Sequence, residues 1–338
     1  MNDSLAPMVG MPANFDRYDL AARHPWLQMN RPPDVHEMAS FLDNAADMLS
    51  GTDTIPAIWA PLFAALRRLQ MTASDATWFQ PLRQHRIAEL LHEAPPVAWS
   101  FRKPRGYAGD AHLIDFLYEH QAARAEIAAA PARAQAMAAM VLCSSASVAV
   151  QERRRLLARW LDATAARTEG AEALILACGH LRELELTYAA ERFSRIVALD
   201  QDPQSADEIQ RCYAGLTPLY PVTASVGRMI VRPLVHGRFD LIYAAGLYDY
   251  LDDRTAARLT QGMLAALKPG GRLLFANFCH DVVDYGFMET FMDWRLITRD
   301  EPEMRRLIHS LPSDQVADAS LFRGLNRAVI YALIEKRA

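Results

Sequence analysis

Two periodicities divide the chain. From Asp34 to about residue 145, apolar residues return every three or four positions, the spacing that gathers them on one face of a helix. Beyond that point, short apolar runs alternate with helix-compatible stretches, as strands and helices do around a parallel sheet. In the first region Asp34 and Glu37 form a capping box, and Val35, Met38, Phe41, Leu42, Ala45 and Met48 then recur at helical spacing until Gly51. Further helices are predicted at about 55–71, 77–93, 110–120 and 133–140. Residues 1–33 hold five prolines and no sustained period, so they read as an extended arm. The expected division is an all-α unit over 1–145 and an α/β unit over 146–338.

The second unit opens with a helix from Ser145 to Arg167. A strand from Ala173 to Ala177, a turn at Gly179, a helix-compatible segment and a strand from Ile196 to Leu199 follow, ending in Asp200. This is a βαβ unit. Its first turn lets a ligand approach backbone, and an acid at the second strand tip, about 20 residues on, can accept both hydroxyls of a ribose. One glycine stands where a dinucleotide fingerprint needs three, with His180 and Leu181 in the other places, so pyrophosphate is disfavoured. A helix from Asp202-Pro203 to Tyr213 comes next, then strands at 220–226, 239–245 and 273–278 and a closing hairpin over 320–335 around Asn326.

FDLIYAAGLYDYLDD (Phe239 to Asp253), then LAALKPGGRLLFANF (Leu264 to Phe278) with its Lys-Pro-Gly-Gly turn, follow the acid-tipped strand. Together these pieces resemble class I S-adenosylmethionine-dependent methyltransferases, over roughly Glu152 to the C-terminus. The resemblance implies a Rossmann-like domain in which Ala177, Gly179 and Glu183 border the methionine part of S-adenosylmethionine, Asp200 holds the ribose and Gly246 lines the pocket. A second resemblance rests on K-P-x-G-Y-A-G-D (Lys103 to Asp110), G-L-Y-D-Y-L (Gly246 to Leu251) and D-W-R-L-I-x-R (Asp293 to Arg299). It is to methyltransferase-fold proteins of 3-hydroxypalmitic acid methyl ester biosynthesis, and the chain is also similar to azetidine-2-carboxylate synthases, which cyclise S-adenosylmethionine itself.

Composition narrows the partners. With 36 basic and 40 acidic side chains the net charge is −4, without the basic excess that phosphate neutralisation on a nucleic acid requires. A chain of 338 residues with 51% hydrophobic composition can bury a sizeable core. Four scattered cysteines without a C-x-x-C point to neither a disulfide framework nor a zinc site, and no H-E-x-x-H spacing gathers His112, His180 or His280 around a metal. The start of the chain has no signal-peptide pattern and no stretch reads as a membrane span. A cytoplasmic protein acting on a small molecule, with no metal, is expected.

Ligands of such sheets lie beyond the carboxyl ends of the strands, which brings Gln201, Ser225, Tyr248, Asp249 and Tyr250 into consideration beside Asp200. Tyr248 and Asp249 stand where a substrate would meet the cofactor; Tyr250 with Leu251 can equally pack on the next helix. Around Lys103 to Asp110, one reading is a lid that presents Arg105 to a carboxylate and Tyr107 to the sulfonium. The plainer one is a turn whose Asp110 caps the next helix and whose cations are solvated. Trp294 and Arg299 are taken as substrate contacts, the former within an aromatic set that serves core or pocket equally. Of Arg153, Arg154 and Arg155, pointing about 100° apart, at most one or two can face the ligand; which of them does is left open, with Arg154 taken as a cofactor contact. Methyl transfer to a carboxylate needs no strong base, because the nucleophile is already ionised. The alternatives are cyclisation of S-adenosylmethionine to azetidine-2-carboxylate and methylthioadenosine, with Asp110 or Asp249 taking the proton, and a non-catalytic cofactor sensor.

Overall fold

The apolar runs after residue 170 pair into one seven-stranded sheet in the computed structural model, which describes residues 20–29, 31–73, 77–216 and 218–338. Its strands are β1 (Glu172–Leu176), β2 (Arg195–Asp200), β3 (Leu219–Thr223), β4 (Phe239–Ala244), β5 (Leu267–Phe278), β6 (Val316–Arg323) and β7 (Val329–Lys336). Their spatial order is β3-β2-β1-β4-β5-β7-β6; the first five are parallel, and β7 runs antiparallel to both neighbours. The central strands are buried on both faces, hence their unbroken apolar character. β3 lies at an edge, where Pro221 can be tolerated because the ladder on one side needs no donor. The chain crosses from β3 to β4, on opposite sides of β1, which makes β1 and β4 the switch point.

Two expectations for this unit change. Lys268 to Gly271 is not a turn but the start of β5, with the register against β4 shifting between Phe239 and Leu241. Gly270 takes φ 70°, and a Cβ on Gly271 would lie 3.0 Å from the Phe239 carbonyl oxygen, so glycines absorb the irregularity. No α-helix joins β1 to β2. Two 3-10 turns, Arg182–Leu186 and Ala190–Arg192, replace it. Asp162, on the helix Ser145–Arg167, accepts from the Thr187 hydroxyl and the Tyr188 and Ala189 amides, an arrangement that competes with helical hydrogen bonding.

The helical unit keeps most of its predicted elements. Asp34 and Glu37 exchange hydrogen bonds at the start of Val35–Met48, and Ile55–Thr72 and Ala132–Leu142 form at the expected places. The segment 77–93 splits into Gln80–Arg83 and Arg86–Leu91, because His85 leaves the helix and caps the second piece through Nδ1. Pro95–Arg102 and Gln121–Ala129 are helices the periodicity did not mark. Of the expected arm, residues 1–19 and 30 lie outside the described residues. The remainder is no arm: Leu20–Arg23 is helical, Pro25–Gln28 is a 3-10 turn, and Leu20 and Trp26 are buried. Trp26 meets Phe41 edge-on, with centroids 5.6 Å apart, and Arg68 donates to the Trp26 and Leu27 carbonyls.

Alternate residues of each strand feed two cores. Leu174, Leu176, Val197, Leu199, Ile242 and Phe275 point to one side, against Leu259, Met263 and Met304. Ala173, Ile175, Ile196, Tyr243 and Leu274 point to the other, where the core continues without a break through Val150, Leu157 and Leu161 into Phe41, Ile58, Leu62, Leu113 and Leu117 of the helical unit. The helices Ile55–Thr72 and Tyr285–Phe291 pack backbone to backbone: a Cβ on Gly286 would lie 2.6 Å from the Leu66 carbonyl oxygen. Among the described residues no single helix is long and apolar enough to cross a membrane.

Candidate functional site

Beyond the carboxyl ends of β1, β2 and β4 lies a cavity of about 360 Å³. Ala177 and Gly179 border it after β1, Asp200 and Gln201 after β2, and Gly246, Asp249 and Tyr250 after β4. Tyr107, Gly109, Ile114 and Tyr118 cover it from the helical unit, while Trp294 and Leu296 close it from the segment after Phe291. Arg153 and Leu157 reach it from the helix Ser145–Arg167.

The turn after β1 is built around Asp200. Its Oδ2 accepts from the Gly179 amide at 2.8 Å and its Oδ1 from the Asp202 amide at 2.9 Å. Burial raises the Asp200 pKa, and these amides pull it back. Gly179 takes φ 53°, and a Cβ there would lie 3.3 Å from the Ala111 Cβ, so backbone conformation and close approach both favour glycine. Leu181 also has positive φ, 55°, and buries its side chain, so neither it nor the missing glycines leave the cavity blocked. Glu183 lines the cavity and accepts from the Tyr243 hydroxyl at 2.6 Å; burial pushes its pKa up.

His180 occupies a glycine position for a reason the sequence did not disclose. Its Nε2 lies 3.0 Å from Arg105 Nη1, a donor, so Nε2 accepts and Nδ1 carries the proton toward Asp115 Oδ2 at 2.8 Å. Asp115 also accepts from Arg182 Nε and Nη2, at 2.9 and 2.8 Å. Although burial alone would raise it, the Arg182 and His180 hydrogen bonds hold the Asp115 carboxyl well below the usual range. The β1 turn and the helix Ala111–Leu117 are thereby joined beneath the cavity.

The loop from Lys103 to Asp110 crosses over the site, but its cations do not turn inward. Arg105 pairs with Asp202 at 3.0 Å, and Lys103 forms an ion pair with Asp293, which Arg83 also holds at 2.6 Å. Protein carboxylates thus take the place of the ligand carboxylate expected for Arg105. Asp110 caps Ala111–Leu117 through the His112 and Leu113 amides and accepts from Trp99 Nε1 at 2.9 Å, which leaves it fully buried as a helix cap and outside the cavity lining. Tyr107 does line the cavity, and burial raises its pKa, keeping the phenol neutral.

Four more expected residues do not border the cavity. Tyr248 is buried in the second core, stacked on Phe275 with centroids 4.2 Å apart and hydrogen-bonded to the Thr260 hydroxyl at 2.7 Å. Arg299 is also buried, donating to the Tyr248 and Leu251 carbonyls, Asn277 and Asp253, and so fixes the loop after β4 from behind. Ser225 is exposed and accepts from the Gly227 amide. Arg154 turns away to Glu185 at 2.6 Å. Arg153 faces the cavity instead, and the helix phase carried that signal: Val150, Arg153, Leu157 and Leu161 share one buried stripe. Asp249, by contrast, lines the cavity as expected. It is buried, accepts from the Phe278 amide at 2.7 Å, and has its pKa pushed up by burial to about 6. Trp294 donates from Nε1 to the Tyr250 hydroxyl at 2.7 Å, beside Gly109.

Residues 173–271, from β1 into β5, match the family model of a methyltransferase domain. No curated protein matches the sequence. A possible exported protein from Bordetella parapertussis is similar over 90% of this chain and 99% of its own, with TM-score 0.55 and 18% identity. That likeness spans both units and shows the fold. The N-methyltransferase NodS from Bradyrhizobium japonicum WM9, in complex with S-adenosyl-L-homocysteine, is 16% identical over 56% of this chain and 88% of that one, with TM-score 0.41. Magnesium protoporphyrin IX methyltransferase from Synechocystis PCC 6803, with bound S-adenosylhomocysteine, is 13% identical over 57% and 86%, with TM-score 0.44. The chain carries a Rossmann-like methyltransferase domain preceded by a helical region, as the alternation of its apolar runs and the resemblance to class I methyltransferases predict.

Proposed function

We propose that the protein is an S-adenosylmethionine-dependent methyltransferase acting on the carboxylate of a small apolar or fatty-acid-like metabolite, with residues 1–145 as cap and substrate-facing unit. The observation that carries this reading is the cavity at the switch point, where Gly179, Asp200 and Gly246 meet beneath the Lys103 to Asp110 loop. The residues suit the cofactor. A carboxylate has about four lone-pair sites, so Asp200 keeps acceptor capacity for ribose hydroxyls after binding two amides. Ala177, Gly179 and Glu183 would border the methionine end and Gln201 the nucleoside, while Gly246 leaves room for both.

S-Adenosylmethionine bound there would supply an electrophilic methyl group. Tyr107, Tyr250 and Trp294 offer neutral aromatic surface to a sulfonium, whose charge aromatic faces attract. Ile114, Leu157, Leu247, Leu251 and Leu296 give the cavity an apolar side for an acyl chain. An acceptor carboxylate is already a nucleophile near neutral pH, so these residues need to orient it and exclude water rather than deprotonate it.

The test pairs binding with product identity. Asp200→Ala should weaken S-adenosylmethionine binding by about 1.5–3 kcal/mol in calorimetry, the value of a hydrogen bond to a charged group, with the fold checked by circular dichroism. Unchanged affinity would remove Asp200 from the site. S-Adenosylhomocysteine should accumulate only when a carboxylate acceptor is supplied. Methylthioadenosine formed from the cofactor alone, above the spontaneous background, would replace methyl transfer by self-cyclisation.

A further inference from the structure

Arg153 is 6% exposed and lines the cavity; its guanidinium is hydrogen-bonded to the Tyr118 hydroxyl but makes no ion pair among the described residues, and its Nε is buried without a hydrogen-bond partner. Its neighbour Arg154 is paired with Glu185. A buried cation without a counter-ion is costly, and proteins keep one where something else neutralises it. The acids that feel its charge, Glu183 and Asp249, border the same cavity but stand outside ion-pair distance, and each already accepts a hydrogen bond from Tyr243 or the Phe278 amide. A Cβ on Gly246 would lie 3.5 Å from Arg153 Nη2, so glycine there leaves the guanidinium uncovered toward the cavity.

We infer that Arg153 is a carboxylate anchor inside the cavity, taking the α-carboxylate of the cofactor or the carboxylate of the acceptor. This rests on the methyltransferase reading and adds to it the residue that binds the anion. The planar fork of arginine matches a carboxylate with two parallel hydrogen bonds, which Lys or a neutral side chain cannot reproduce.

Two ligand pairs identify the source. In calorimetry, wild-type protein should prefer S-adenosylmethionine to its decarboxylated analogue, or, with S-adenosylhomocysteine bound, a fatty acid to its primary amide, by about tenfold or more. In Arg153→Met one of these preferences should vanish, and the pair that loses it names the anchored carboxylate. Arg153→Lys should retain part of it. Without ligand, Arg153→Met should melt at or above the wild-type temperature, since it removes an unpaired buried charge. Both preferences surviving in Arg153→Met would overturn the assignment, as would a lower melting temperature of the ligand-free variant with no change in either preference. Wild-type protein that binds no S-adenosylmethionine would instead overturn the functional reading and the anchor with it.

Discussion

Asp249 is a carboxylate held almost wholly out of water at the edge of the cavity. Its place after β4 marks it for the cavity, but the sequence does not say that the Phe278 amide and complete burial await it there. Burial lifts its pKa from 3.8 to about 6. Above about pH 6 the carboxylate is ionised in both folded and unfolded chains, and the fold bears the full penalty. Between 3.8 and 6 only the unfolded chain is ionised, so the penalty shrinks as pH falls, and below that range it is gone. Asp249→Asn keeps an acceptor for the Phe278 amide and removes the charge. It should therefore be more stable than wild type near pH 8, by on the order of 3 kcal/mol, with the advantage fading toward pH 4. Urea unfolding across that range checks the slope; a difference that does not change with pH would refute the perturbed carboxyl. Tyr248, one position earlier, points to the opposite core, a consequence of local backbone geometry that no single-residue reading supplies.

At the scale of an element, the loop from Lys103 to Asp110 separates what a local reading marks from what only the fold supplies. Its glycines and charges mark it as more than a connector, and it does lie over the cavity. The partners of its cations, Asp202 and Asp293, are far away along the chain and become visible only once the sheet is folded. The missing α-helix between β1 and β2 has the same cause, since Asp162 and Asp115 act from other elements. Gly109 carries a quantitative expectation for this loop. An added Cβ would collide with Tyr250 Oη and lie 2.7 Å from Trp294 Nε1, within a hydrogen bond that limits how far either ring can yield. Gly109→Ala should destabilise the protein by roughly 1–3 kcal/mol, as overpacking does, and should also weaken cofactor binding. Chemical denaturation and calorimetry on the same variant check both; wild-type stability would mean that Tyr250 swings aside freely.

For the whole molecule, the period of the apolar pattern was enough to separate a helical region from an α/β region, because the two repeats differ physically. The strand order was not derivable that way, since parallel pairing over long crossovers leaves no local mark. Nor did the pattern show that the border near residue 145 is crossed by a single apolar core, running from Phe41 and Leu62 to Ile175 and Tyr331. That continuity bears on how the molecule melts. A cap with its own core would unfold first and leave the sheet standing, whereas a shared core makes each half the solvent shield of the other. Heating should accordingly give one calorimetric transition, with van't Hoff and calorimetric enthalpies equal, and residues 146–338 expressed alone should fail to reach a cooperative state. Two resolved transitions would divide the protein where the sequence drew the line. With one, any opening that admits a ligand has to come from the loop over the cavity, because the helical unit cannot lift away without unfolding the sheet beneath it.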